Sequence, residues 1–171
     1  CKSLSFEDLD TKIMNALIEQ LSKDYDFIIV DSPAGVEKGF EYSASLANEA
    51  IVVVNLDVSS LRDADRVVGL LMKKGINTIN MIVNKVNLDD IENARSLTID
   101  DAKEILSLPL LGIVYESHDM IEANNRGVPI FLNHQHLLHT CFTNISKRLL
   151  GQQVPYAKYK KKNLLRRFFY S

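Results

Sequence analysis

Cysteine occurs only twice in the 171 residues, as Cys1 and Cys141, and the pair forms neither a disulfide framework nor a C-x-x-C motif. A disulfide-stapled fold is excluded on that count, and a reducing compartment is favoured. Long hydrophobic runs are also missing: the apolar stretch at 50–54 is far too short to span a bilayer. The seven glycines are scattered, so the chain has no G-x-x-x-x-G-K-[ST] loop and no glycine cluster that could cradle phosphates. No serine or cysteine nucleophile motif is present. His134, His136 and His139 are joined by no carboxylate or thiolate at ligand spacing, which argues against a metal site there.

What is present fits one globular domain with a sizeable core: 46% of the residues are hydrophobic and 25% charged. The charge is unevenly placed. Six of the 20 basic residues (Lys158, Lys160, Lys161, Lys162, Arg166 and Arg167) lie in 151–171, where there is no acid. The 14 that remain face 22 acids in 1–150, so the body carries about −8 and the tail +6. An acidic body argues against broad nucleic-acid binding, which needs a positive face on the fold itself.

Apolar periodicity predicts alternating helices and strands. Phe6, Leu9, Ile13, Leu17 and Leu21 recur at helical spacing, giving an amphipathic helix that ends near Lys23. Continuous apolar runs at 26–30, 50–54, 79–83 and 110–114 read as buried strands. Helices are expected at about 40–47, from Ser60 with Asp63 to Lys74, from Thr98 with Asp101, and over 137–150. Non-alternating apolar strands separated by helices imply an α/β fold, a parallel sheet with helices on both faces. Ligands of such sheets sit beyond the carboxyl ends of the strands, where Asp31, Asn55, Asn84 and Tyr115 fall.

The segment "DFIIVDSPAGVEKG" delivers Asp31 from an apolar run into Ser32-Pro33-Ala34-Gly35. One reading is a turn cap. The other is a Walker-B-type aspartate that orders Mg²⁺ and its water shell, while Pro33-Ala34-Gly35 lets the backbone approach a γ-phosphate. The whole string, together with "ANEAIVVVNLDVSSLRDADRVVGLL", "MIVNKV", "LLGIV" and "ANNRGVPI", resembles the MinD family of septum-site-determining ATPases within the ParA-like P-loop proteins. The similarity runs in order, with matching spacings, from Tyr25 onward.

The resemblance implies ATP and Mg²⁺ as cofactors of the complete protein. It assigns Asp31 and Gly35 to the catalytic switch beside Mg²⁺ and the γ-phosphate, and Asn84, Tyr115, Glu116 and Ser117 to the base. The family pattern at that last loop has a proline or small residue followed by acids, from which Tyr115-Glu116-Ser117 departs. Arg62, Asp63 and Asp65 fall on the family's partner helix; read alone they are a solvated helix face. The missing phosphate loop implies a C-terminal fragment, inactive and poorly folded by itself, with 1–150 as part of the ATPase domain, 151–157 as linker and 158–171 as tail helix.

In that tail Leu164, Leu165, Phe168 and Phe169 fall within an arc of about 140° at 100° per residue, with Arg166 and Arg167 elsewhere. A basic amphipathic helix of this kind is expected to lie in an anionic membrane surface, a role that the resemblance also implies. The alternative is a C-terminus docked on the body. The function expected by resemblance is that of a membrane-associated ATPase, cytoplasmic and peripheral on the inner face of the cell membrane. It would dimerise on ATP, recruit a MinC-like septum inhibitor, be discharged by a MinE- or DivIVA-type regulator, and bind no specific nucleic acid. The alternatives are a non-enzymatic membrane module that lost the phosphate loop, or a ParA-like ATPase of flagellar number or partitioning.

Overall fold

Three of the four apolar runs become strands of one parallel sheet, ordered β1-β2-β3: β1 Glu49–Val54, β2 Thr78–Val86 and β3 Leu110–Tyr115. The structure is a computed structural model that describes residues 11–159. The tail positions Leu164, Leu165, Arg166, Arg167, Phe168 and Phe169 lie outside the described residues. Around the sheet are α1 (Thr11–Leu21), α2 (Lys38–Ser45), α3 (Val58–Lys73), α4 (Leu88–Glu92), α5 (Ile99–Leu106), α6 (His118–Asn125) and α7 (Leu137–Leu149), with a 3-10 turn at Ile130–Leu132.

Register explains how the two sheet faces are used. Val52 pairs with Met81 and Val54 with Val83, and all four are buried on the face against which α3 packs. Leu61, Ala64, Val68 and Leu71 give α3 its buried stripe at three- and four-residue spacing. On the other face α7 covers β3, while Ile51 and Val53 of β1 remain 42% and 59% exposed. Helices therefore lie on both faces, but among the described residues the second face is covered only at the β3 side.

The run at 26–30 corrects the sequence reading: it is not a strand. Ile29 is 88% exposed and Phe27 52%. A strand exists only where a neighbour accepts its backbone hydrogen bonds, and β1 pairs with β2 alone among the described residues. High β-propensity without a pairing partner leaves an irregular segment outside the sheet, with Phe27 and Ile29 exposed and Ile28 and Val30 half-buried. α1 likewise buries none of its residues, so its amphipathic pattern is present but unused.

Helix starts follow side-chain capping. α3 begins earlier than expected: Asp57 is the cap, accepting from Ser60 N at 2.8 Å, whereas the Ser60 hydroxyl accepts from Asn55 N at 2.9 Å. α5 starts at the expected capping box. Thr98 N donates to Asp101 Oδ2 at 2.8 Å, and Asp101 N donates to Thr98 Oγ1 at 3.1 Å. The Thr98 N–H first, and then the Thr98 hydroxyl, which donates to the same Oδ2 at 2.7 Å, hold the Asp101 carboxyl below its usual value. A depressed carboxyl stabilises the fold above its unfolded value near 3.8, and that contribution is lost as pH falls through the folded value. Asp101→Asn should therefore lower the thermal midpoint at pH 7, with the gap to the native protein closing under acid conditions. Parallel midpoint-versus-pH curves would overturn this.

Candidate functional site

Because the strands are parallel, their carboxyl ends gather Asn55, Asn84 and Tyr115 along one rim. Val54 and Val83 are register partners just before Asn55 and Asn84, and Val86 pairs with Tyr115. The β2–β3 register shifts between Val83 and Val86, and Lys85 in that gap has φ +52°. Non-glycine residues with positive φ are uncommon and concentrate at functional sites. This one ends the regular alternation of β2 immediately after the half-buried Asn84.

Asp31 lies outside the sheet, exposed, in an irregular segment. Its carboxylate makes no hydrogen bond or ion pair among the described residues. Gly35 follows with φ +92°, a conformation that side-chain-bearing residues rarely adopt, and no atom lies within 4 Å of where a Cβ would stand. The segment then enters α2, whose Gly39 and Phe40 are buried, and a cleft opens beside Pro33, Ala34 and Lys38. An exposed carboxylate, an open glycine and a helix start thus succeed one another over eight residues.

The loop after β3 has structural work of its own. Tyr115 is 9% exposed, and its hydroxyl donates to the Ala157 carbonyl at 3.0 Å. Burial pushes the phenol up. Its ring lies 5.4 Å from that of Tyr159, so Tyr115 is packed under the C-terminal segment rather than open for stacking. Glu116 accepts from Asn87 Nδ2 at 2.9 Å, and Ser117 caps α6 by accepting from Asp119 N at 3.2 Å. Among the four base-contact candidates, Asn84 is the one without such a duty.

The segment 151–157 also departs from the linker reading. Tyr156 donates to the Leu110 carbonyl at 2.9 Å, and Asn144 donates to the Pro155 carbonyl at 2.8 Å. The Arg148 guanidinium sits 3.8 Å above the Tyr156 ring and also donates to Val154 O. Tyrosine hydroxyls need partners when buried, and here carbonyls of β3 and of the segment itself provide them. The residues before the basic tail are consequently strapped to β3 and α7.

Arg62, Asp63 and Asp65 are all exposed on α3, alternating with the buried Leu61 and Ala64. The α3 surface holding them is open to a partner. Cys141 is buried, and desolvation pushes its thiol up, so it is protonated and unreactive at neutral pH. Sequence spacing missed the histidine contacts. His136 Nε2 lies 3.0 Å from Asp119 Oδ2, and His134 Nδ1 lies 3.3 Å from His139 Nε2. A separation of 17 positions between Asp119 and His136 hides that pairing from any local motif.

No protein-family model matches the chain. A putative septum site-determining protein MinD of Emiliania huxleyi is 41% identical over 144 residues, covering 84% of this chain. The chain spans 53% of that relative's length. Among solved structures, the MinC:MinD cell division protein complex of Aquifex aeolicus aligns at 36% identity and TM-score 0.85, over 89% of this chain and 64% of that one. The septum site-determining protein MinD complexed with Mg-ADP from Pyrococcus horikoshii OT3 aligns at 25% identity and TM-score 0.70, over 83% and 57%.

Proposed function

The chain is a homologue of the septum site-determining MinD proteins, and from that premise we propose that it works within an ATPase that positions the division septum. The observation that carries the nucleotide part is Asp31: an exposed carboxylate, without a partner among the described residues, four residues before a positive-φ glycine. Hydrated Mg²⁺ is bound through one or two carboxylates with waters and phosphate oxygens, and this donor set fits it. When bound, Mg²⁺ with ATP supplies a transferable phosphoryl group whose developing charge the metal neutralises. Asp31 would hold the metal's water shell, Gly35 would leave its backbone N–H accessible to phosphate oxygens, and Asn84 would face the base. Packing under 152–159 makes Tyr115 a wall of that site, with Glu116 and Ser117 fixing the loop through Asn87 and α6.

Arg62, Asp63 and Asp65 would meet a MinC-like inhibitor, or a MinE- or DivIVA-type regulator, on the exposed side of α3. The MinC:MinD complex among the structural neighbours supports the first of these. The tail supplies the membrane contact. Near an anionic leaflet each basic residue contributes roughly 1 kcal/mol and each large apolar side chain about 1.5 to 3 kcal/mol if fully buried, while ordering about ten residues costs on the order of 10 kcal/mol or more. One tail therefore binds marginally. Two tails joined by ATP-dependent dimerisation gain roughly 10² to 10⁴ in avidity, and hydrolysis would release them.

The test uses the complete protein containing this chain and vesicles of phosphatidylcholine with phosphatidylglycerol. Co-sedimentation should be at least about tenfold greater with ATP than with ADP, as avidity of that order requires. Equal binding in the two states would sink the switch. Nucleotide-independent vesicle binding without ATP hydrolysis would instead select a non-enzymatic membrane module.

A further inference from the structure

We propose that His134 and His139 form a binding site for a d-block divalent cation, Zn²⁺, Ni²⁺ or Cu²⁺, between the 3-10 turn and the first turn of α7. The argument starts at His139. Its Nδ1 lies 2.6 Å from the Phe131 carbonyl oxygen. A carbonyl only accepts, so Nδ1 carries the hydrogen, and the neutral ring keeps its lone pair on Nε2. Stacking on Phe131, with centroids 4.8 Å apart and planes at 25°, holds the ring in that orientation. A backbone carbonyl fixing the far nitrogen is the arrangement that orients metal-binding histidines.

His134 brings the second nitrogen. Its Nδ1 stands 3.3 Å from His139 Nε2. Two ligands on a tetrahedral Zn²⁺, each at about 2.0–2.1 Å, are about 3.3–3.4 Å apart, so the separation of the two nitrogens, on rings set at 76°, matches the bite of one cation. The Thr143 hydroxyl, one helical turn beyond His139, lies 3.4 Å from the same Nε2 and adds an oxygen on that side. Two imidazoles select zinc, nickel or copper over Mg²⁺, which takes oxygen ligands. No third His, Cys, Asp or Glu joins them among the described residues, so water completes the coordination and the site is exchangeable. His136 is engaged separately with Asp119. A bound cation would clasp 133–136 onto α7, in the region that carries the Asp119–His136 contact.

The experiment is a Zn²⁺ titration of the complete, nucleotide-free protein by calorimetry at pH 7.5, repeated with Cu²⁺ by electron paramagnetic resonance. The native protein should take up one ion per chain at this site, with two nitrogens coupled to the copper signal. Zn²⁺ should also raise the thermal midpoint. His134→Asn and His139→Asn should each weaken uptake tenfold or more and abolish the midpoint rise, while His136→Asn leaves both unchanged. Unaltered far-ultraviolet circular dichroism of each variant separates lost ligation from lost folding. If the native protein takes up no ion, or if the two variants bind as well as it does, the contact is a ring-to-ring hydrogen bond only and the proposal falls.

Discussion

Replacing Asp31 by asparagine in the complete protein is expected to lower ATP hydrolysis by about 10²- to 10³-fold, the range seen when one preorganised charge-stabilising group is removed from a site. Asparagine keeps the shape and one oxygen but loses the charge that orders a metal's water shell. The fold should not register the change. Asp31 is exposed and makes no hydrogen bond or ion pair among the described residues, so stability should move by no more than about 0.5 kcal/mol. Hydrolysis measured alongside a thermal melt checks both halves. A native rate in Asp31→Asn would reduce Asp31 to a turn residue. A large fall in melting temperature would make the rate loss uninformative, and vesicle binding with a non-hydrolysable ATP analogue would then distinguish site from fold.

The largest stability effect is expected from the smallest addition, Gly112→Ala. Gly112 sits in mid-β3 as the register partner of Ile82, on the face that α7 covers. A Cβ there would stand 2.1 Å from Ile145 Cγ1 and 2.8 Å from Cδ1. Cγ1 is not the free end of a flexible chain. It is fixed by the χ1 of a β-branched residue inside a helix, where one rotamer dominates, so α7 itself must shift. Overpacking of this kind costs about 1–3 kcal/mol, a fall in midpoint of roughly 2–12 °C at about 2–4 °C per kcal/mol for a domain of this size. Ile145→Ala added to Gly112→Ala should restore part of the loss, because the second change removes the atoms that clash. Additive losses in the double variant would show that glycine is needed there for another reason.

Chain separation divides what could be read from what could not. β1, β2 and β3 were legible because unbroken runs rich in β-branched residues, such as Ile51-Val-Val-Val54 and Met81-Ile-Val83, fit strands of a parallel sheet, and the intervening helices announce parallel crossovers. The Thr98–Asp101 box was legible because its two partners are three residues apart. The run at 26–30 is as apolar as the true strands, yet it lies outside the sheet with Phe27 and Ile29 exposed. Composition reports that a segment could be buried, and only a neighbouring strand decides that it is. Tyr115 shows the same limit: the partner of its hydroxyl, the Ala157 carbonyl, is 42 residues away, so nothing near it in the chain revealed that packing.

The sequence alone determined the α/β class, the acidic body with its basic tail, the carboxylate at Asp31 and the resemblance on which the functional reading rests. Each of these is carried by residue order and local period, which survive without coordinates. Tertiary structure alone decided that 152–159 is strapped to β3, that Gly112 must have no side chain, and that His134 meets His139 while His136 meets Asp119. Those contacts depend on how side chains from separate elements converge. A chain folded by non-directional burial of apolar surface does not encode that convergence in any single stretch of its residues.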